Sequence, residues 1–378
     1  MTPPGRVALE ARRIVIVCGS GGVGKTTITA ALALSLARSG RRTIALAVDP
    51  AKRLATTLRL PTTPGERATV DAGGGRELTT LLLDTKRTFD ELVERYAGSP
   101  ARRDRIFANR FYQRIAGTLA GTHEYMAMER LYQLATTEEW EAIVIDTPPT
   151  RSALAFLDAP RRMTDFLGGR MFRWLLWPYR RAGRIGMRGA GLGARALAHT
   201  IGRIAGSDLL ADVADFLDAF DGMYDGFKRR AGRVHELLGE DQTAFVVVAA
   251  PERGSLEEAG HFVDRLAESG MHLGGVVVNR WMDGPSIEIP DAILEQLASG
   301  TKQERAAAAV LRLLRPLQHV RARQEAALES FARTHPAVEM VRVPELGAHS
   351  GDRASLEAVS AAILGRKTSP TRGVATLS

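Results

Sequence analysis

The chain has 378 residues, enough for one large α/β domain or two small ones, with the apolar (45%) and charged (25%) content of an ordinary soluble globule. Its longest apolar runs, such as Ala244–Ala250, are far too short to span a bilayer, and its single cysteine, Cys18, excludes a disulfide within the chain. The net charge of +8 is uneven: residues 161–203 hold ten Arg against one acid, Asp165, so the remainder is close to neutral.

Residues 1–11 carry no apolar core with a small-residue cleavage site, so they are expected to be a flexible end of a cytoplasmic protein. The first predicted strand, Ile14–Cys18, is followed by Gly19-Ser20-Gly21-Gly22-Val23-Gly24-Lys25-Thr26-Thr27. This is a complete G-x-x-x-x-G-K-[ST] phosphate loop. Its glycines let backbone N–H groups close around an anion, and helix 25–39 then starts with its positive dipole end toward the phosphates. Lys25 is expected on the β- and γ-phosphates and Thr26 on Mg²⁺. A merely glycine-rich turn would need neither the strand before it nor the Lys-Thr pair after it. Gly40 closes the helix.

A second strand, Thr43–Val48, ends in Asp49-Pro50-Ala51-Lys52-Arg53-Leu54. Leu78–Leu83 is the third. Residues 85–140 are too long for a simple crossover and are predicted to hold about three helices, including Asp90–Tyr96 and Tyr125–Leu134. The fourth strand, Ala142–Ile145, ends in Asp146-Thr147-Pro148-Pro149-Thr150. An Asp at such a strand end, downstream of the loop, is what a nucleotide enzyme uses to hold the Mg²⁺ shell through water; the alternative is a helix cap. Residues 151–240 read as a second helical insertion, ending in a helix over Leu209–Lys228. Three more strands follow: Ala244–Ala249, Gly274–Val278 (ending in Asn279-Arg280) and Val338–Val343. The strands show no polar alternation, as expected when both faces are buried. Helices between them predict a mostly parallel sheet with right-handed crossovers. Gly270 and Gly347 punctuate loops. The expectation is one α/β P-loop NTPase domain over 12–365, with helical insertions at about 85–140 and 151–240 and flexible residues 366–378.

GSGGVGKTT, VDPAKRLA and IDTPPTRSALAFL, with VVVN later, resemble the ArsA-type ATPases, which include the arsenite-pump subunit and the ATPase that targets tail-anchored membrane proteins. The resemblance covers roughly residues 12–365. It implies a Mg²⁺-dependent ATPase that works as a homodimer or paralogue heterodimer. It matches Asp49 to the switch I aspartate that orients the attacking water, and Asp146–Thr150 to switch II. It matches Asn279 to the residue that reads the adenine edge, and Pro344-Glu345-Leu346 to the loop that packs on the base. A turn cap is the other reading of Asn279.

Three departures from the family pattern carry weight. The family loop usually has Lys where this chain has Ser20, and that Lys crosses a dimer interface to the partner's nucleotide. A hydroxyl does not stabilise transition-state charge as a cation does. Lys52, Arg53 and Arg151 are the candidate replacements; solvated switch-loop charges are the alternative. The zinc-binding CxxC of the targeting ATPase and the metalloid-binding cysteines of the pump subunit are absent, so metalloid transport is not expected.

Within 161–203, Met163, Phe166, Met171, Phe172, Trp174 and Trp177 interleave with Arg170, Arg173, Arg180 and Arg181. This pattern suits a hydrophobic client, a membrane protein or an anionic membrane surface, or packing within the insertion itself. No nucleic-acid motif accompanies the charge. The glycines of 183–193 predict a mobile segment. The expected activity is hydrolysis of ATP to ADP and phosphate, coupled to rearrangement of the insertion. The alternatives are a slow-turnover regulatory or scaffold protein that binds ATP, and a ParA/MinD-like partitioning ATPase.

Overall fold

The computed structural model describes residues 11–48, 53–58, 63–115, 122–148, 224–282, 290–345 and 352–365, with Leu9, Leu60, Asp212 and Phe216. Among these residues, eight strands form one sheet in the order β3-β4-β2-β5-β1-β6-β7-β8. They are β1 (Ile14–Gly19), β2 (Thr43–Ala47), β3 (Arg67–Gly73), β4 (Arg76–Leu82), β5 (Ala142–Asp146), β6 (Thr243–Ala249), β7 (Leu273–Trp281) and β8 (Met340–Pro344). Every pairing is parallel except β3 with β4. The mostly parallel sheet flanked by helices agrees with the sequence-based expectation.

The central strands are buried on both sides. Ile14, Ile16 and Cys18 face one apolar layer, and Val15 and Val17 the other. Helices α1 (Lys25–Arg38) and α11 (Arg353–Leu364) cover the second layer. α1 is Ala- and Leu-rich and buried nearly all round, as a helix pressed between sheet and neighbours must be. A short α2 (Arg53–Leu58) packs beside it.

Helices α3 (Thr85–Tyr96), α4 (Pro100–Ala108), α5 (Arg110–Ile115) and α6 (Thr122–Thr136) precede β5, and α7 (Tyr224–Gly239) precedes β6. Among the described residues the interval before β5 thus holds four helices, against about three expected. Ser99 caps α4, and Pro100 occupies its first turn, where the missing N–H costs nothing. α7 runs to Gly239, beyond the predicted end at Lys228, because Val234, Leu237 and Leu238 are buried in the same apolar layer. α6 and α7 are joined by Glu129, which is fully buried and accepts from Arg230 Nη2 at 2.7 Å and Nε at 2.9 Å. The Arg230 guanidinium also lies 3.7 Å over the Tyr132 ring. Burial opposes its charge, but the hydrogen bonds and charge of Glu129 more than compensate, and its pKa is raised.

α8 (Arg253–Glu268) crosses from β6 to β7. Between β7 and β8 lies an excursion that the two-insertion reading does not mark: α9 (Asp291–Ser299) and α10 (Lys302–Thr334). Leu328 and Phe331 anchor the carboxyl end of α10 in the core, while its amino-terminal half stands largely in solvent. The sequence reading also lacked β3, an antiparallel strand at the sheet edge. Among the described residues no helix is long and apolar enough to cross a membrane.

Candidate nucleotide site

β1 delivers the chain to the loop at the carboxyl end of the sheet, between β5 and β6. Parallel sheets bind ligands at that end. Two glycines are obligatory there. Gly19 has φ 147°, and a Cβ on it would sit 2.1 Å from the Val248 carbonyl oxygen of β6. Gly24 has φ 95°, and its Cβ would meet Asn279 Nδ2 at 2.2 Å. Gly24 is also the N-cap of α1, with no side-chain cap and no acid in the first turn. The amino end of α1 is therefore left without a side-chain acceptor, as an anion site requires.

Lys25 is buried and donates from Nζ to the Gly19 and Ser20 carbonyl oxygens at 3.0 and 2.8 Å. Its ammonium folds back along the loop it would serve. Thr26 Oγ1 donates to Asp146 Oδ2 at 2.8 Å, and Thr29 Oγ1 approaches Asp146 Oδ1 at 3.4 Å. Asp146, only 1% exposed, is thus held by two hydroxyls of the first turns of α1. A hydroxyl beside a carboxylate is an all-oxygen donor set, and it fits a hard cation such as Mg²⁺. Thr147 Oγ1 donates to the Val17 carbonyl oxygen at 2.8 Å, which locks the chain after β5 against β1.

A cavity of about 380 Å³ opens over the loop, lined by Gly22, Gly24, Lys25, Thr26, Thr27, Arg53, Thr56, Thr57, Thr147 and Arg280. It gathers loop, α2 and the ends of β5 and β7 around one space. Of the candidate cations, Arg53 lines it; Lys52 and Arg151 lie outside the described residues, as does Asp49. So do Gly347, the 161–203 stretch and its glycines, and residues 366–378.

Asn279 does not line this cavity. It stands behind Gly24, and its Nδ2 donates to the Val23 carbonyl oxygen at 2.8 Å, tying β7 to the loop. Pro344 and Glu345 pair with Trp281 at the end of β7 and β8, also outside the cavity lining. Sequence reasoning missed Arg280, Thr56 and Thr57. Arg280 has φ 61°, at the irregularity where the pairing of β7 with β8 shifts register. A non-glycine in that region marks backbone set by its surroundings rather than by preference. The signal available in the sequence was only its place after Asn279.

Ser20 Oγ lies 3.4 Å from Ser255 Oγ, and Ser255 Oγ accepts from the Ala250 N–H at 2.9 Å. Cys18 is buried; burial pushes its thiol pKa well up against the opposing pull of Lys25, so it remains neutral and structural. At the neighbouring strand tip, the His123 ring spans from the Val48 carbonyl oxygen (2.6 Å) to Thr85 Oγ1 (2.8 Å). It thereby links the residue before Asp49 to α3 and α6.

The profile of the anion-transporting ATPase family (ArsA_ATPase) matches residues 12–180 and 195–304. A putative arsenical pump-driving ATPase of Aquifex aeolicus is 25% identical over 298 residues, covering 75% of this chain and 65% of that protein. ATPase ARSA2 of Chlamydomonas reinhardtii is 26% identical over 271 residues, covering 70% of this chain and 67% of that protein. ATPase GET3 of the fungus Malassezia globosa is 26% identical over 283 residues, covering 71% and 73%. The matches thus span about two thirds of the first two relatives' length. On this profile and these relatives, the chain belongs to the anion-transporting ATPase family.

Proposed function

We propose that the chain binds ATP with Mg²⁺ and hydrolyses it to ADP and phosphate. The observation that carries this reading is the meeting of Thr26 and Asp146 at 2.8 Å beside an α1 end that has no side-chain cap. That arrangement suits a nucleoside triphosphate with its cation. Backbone N–H groups of the loop would cradle the phosphates, and Lys25 would leave its two carbonyl partners for the β- and γ-oxygens. Bound Mg²⁺ would neutralise phosphate charge, with Thr26 holding it directly and Asp146 through water. Asp49 orients the water that attacks the γ-phosphorus, and ADP departs as the leaving group. Arg53 and Arg280, which line the same cavity as the loop, supply the positive charge that the family draws from the Lys replaced here by Ser20.

Asn279 has a double role in this reading. Its Nδ2 steadies Val23, and its amide oxygen serves the adenine edge, with Pro344 and Glu345 beside the base. The working unit is a dimer of like or paralogous chains. The nucleotide state is coupled to the helices before and after β5, and the 161–203 stretch takes a hydrophobic client, a membrane protein or a membrane surface. The domain limits remain those expected, 12–365 with its helical insertions.

The test is Asp49→Asn. The variant is expected to bind ATP like the wild type and to lose turnover in a phosphate-release assay. Undiminished turnover would remove Asp49 from the mechanism, and a wild type that releases no phosphate from ATP would remove the reading itself.

A further inference from the structure

We propose that the outer half of α10 lies on an anionic lipid bilayer. The helix is 33 residues long, and from its start to residue 323 only Ala308 is buried. Val310, Leu313, Leu314, Leu317 and Val320 recur at helical spacing and form one exposed stripe, with Leu313 77% and Val310 56% exposed. Such a stripe on a soluble helix marks a contact surface.

The stripe continues a buried interface. Leu328 follows Val310, and Phe331 follows Leu313, by about five full helical turns each, so each pair falls on about the same side of the helix, with Pro316 between them. Leu328 and Phe331 are buried against the body of the protein. One apolar face is therefore covered where α10 meets the sheet layer and bare where it runs beyond it.

Charge selects the occupant. Residues 305–323 contain five Arg and no Asp or Glu, although Arg315 pairs with Asp291 of α9 and Arg321 with Glu325. Arg305, Arg312 and Arg323 fall on one flank of the helix, beside the stripe rather than on it. Apolar side chains bordered by long cationic ones suit the boundary between acyl chains and anionic headgroups, where arginine stems reach up to phosphate. A second copy docked antiparallel through this face would set one arginine flank beside the other and meet like-charge repulsion. This inference rests on α10 alone and stands apart from the nucleotide reading.

The experiment is co-sedimentation of the full chain with vesicles of phosphatidylcholine alone, and with about a third phosphatidylglycerol. Two double variants accompany it: Leu313→Glu with Leu317→Glu, and Arg312→Glu with Arg323→Glu. All four side chains are exposed, so both variants should melt with the wild type. The wild type should sediment with the anionic vesicles only, and high salt should release it. Each double variant should bind them at least about tenfold more weakly. A wild type that ignores anionic lipid, or a leucine variant that binds like the wild type, overturns the proposal. So does a dimer, seen by light scattering without lipid binding, that the leucine variant dissolves; the stripe would then belong to a second copy.

Discussion

Helix α1 begins on Gly24 with no side-chain cap, whereas α10 begins on Thr301 with a reciprocal capping box. In the box, Glu304 N–H donates to Thr301 Oγ1, and Glu304 Oε2 accepts from the Thr301 N–H at 2.6 Å. α1 is enclosed by the sheet and α11 and is buried along nearly its whole length. α10 projects, and it carries the Arg321–Glu325 pair one turn apart on its partly exposed middle. The contrast separates two sources of helix stability. α1 forgoes a side-chain cap, and burial of Ile28, Leu32 and the alanines makes up the loss. An end that binds nothing satisfies itself locally, which is what allows a helix to leave the core.

The sharpest way to break this contrast is at Lys25. Lys25→Ala should lower ATP turnover by about 10²–10³-fold while the melting transition stays near that of the wild type. Retained turnover would mean that the open end of α1 is not where the phosphates go. Next in size is Gly24→Ala. A left-handed φ costs a non-glycine about 1–2 kcal/mol, and the new methyl must also displace Asn279. Denaturant unfolding should register at least that loss, and nucleotide binding should weaken with it. An unchanged midpoint would show that the loop is looser than its contacts imply. The smallest effect is expected at Thr301→Ala, worth about 1 kcal/mol. Hydrogen exchange in the first turn of α10 should quicken about fivefold, with turnover unaffected. No change there would mean that α9 alone holds the start of α10.

The parts of this molecule that could be read from the sequence are those where chemistry restricts the residue type. Gly19, Gly24, Lys25 and Thr26 stand at the one spacing that a phosphate loop allows, and the apolar runs of β1, β5 and β6 follow from burial on both faces. Asp146 and Thr26 stand at the strand end and helix start that the sequence marks, and their side chains meet at 2.8 Å. β3 was not legible, since Arg67–Gly73 is half exposed and gains its pairing only from β4. Arg280 escaped for a related reason: a register shift between two distant strands aims it, and no local pattern records that. The hold of Asn279 on Val23 was not legible either, because it depends on the gap left by Gly24, which is a property of packing.

The two outermost strands have a consequence for handling as well as for folding. A sheet edge exposes unsatisfied backbone groups that a neighbouring molecule can join. β3 meets solvent with Arg67, paired to Glu139, and with Asp71, paired to Arg353. β8 ends in Pro344, which has no N–H to lend, and carries Arg342 laid over the Trp281 ring. Valine-rich strands that would be hazardous if bare are kept inside, and the borders are guarded by charge and proline. Native protein at high concentration should therefore resist growth of stacked sheets from its rims.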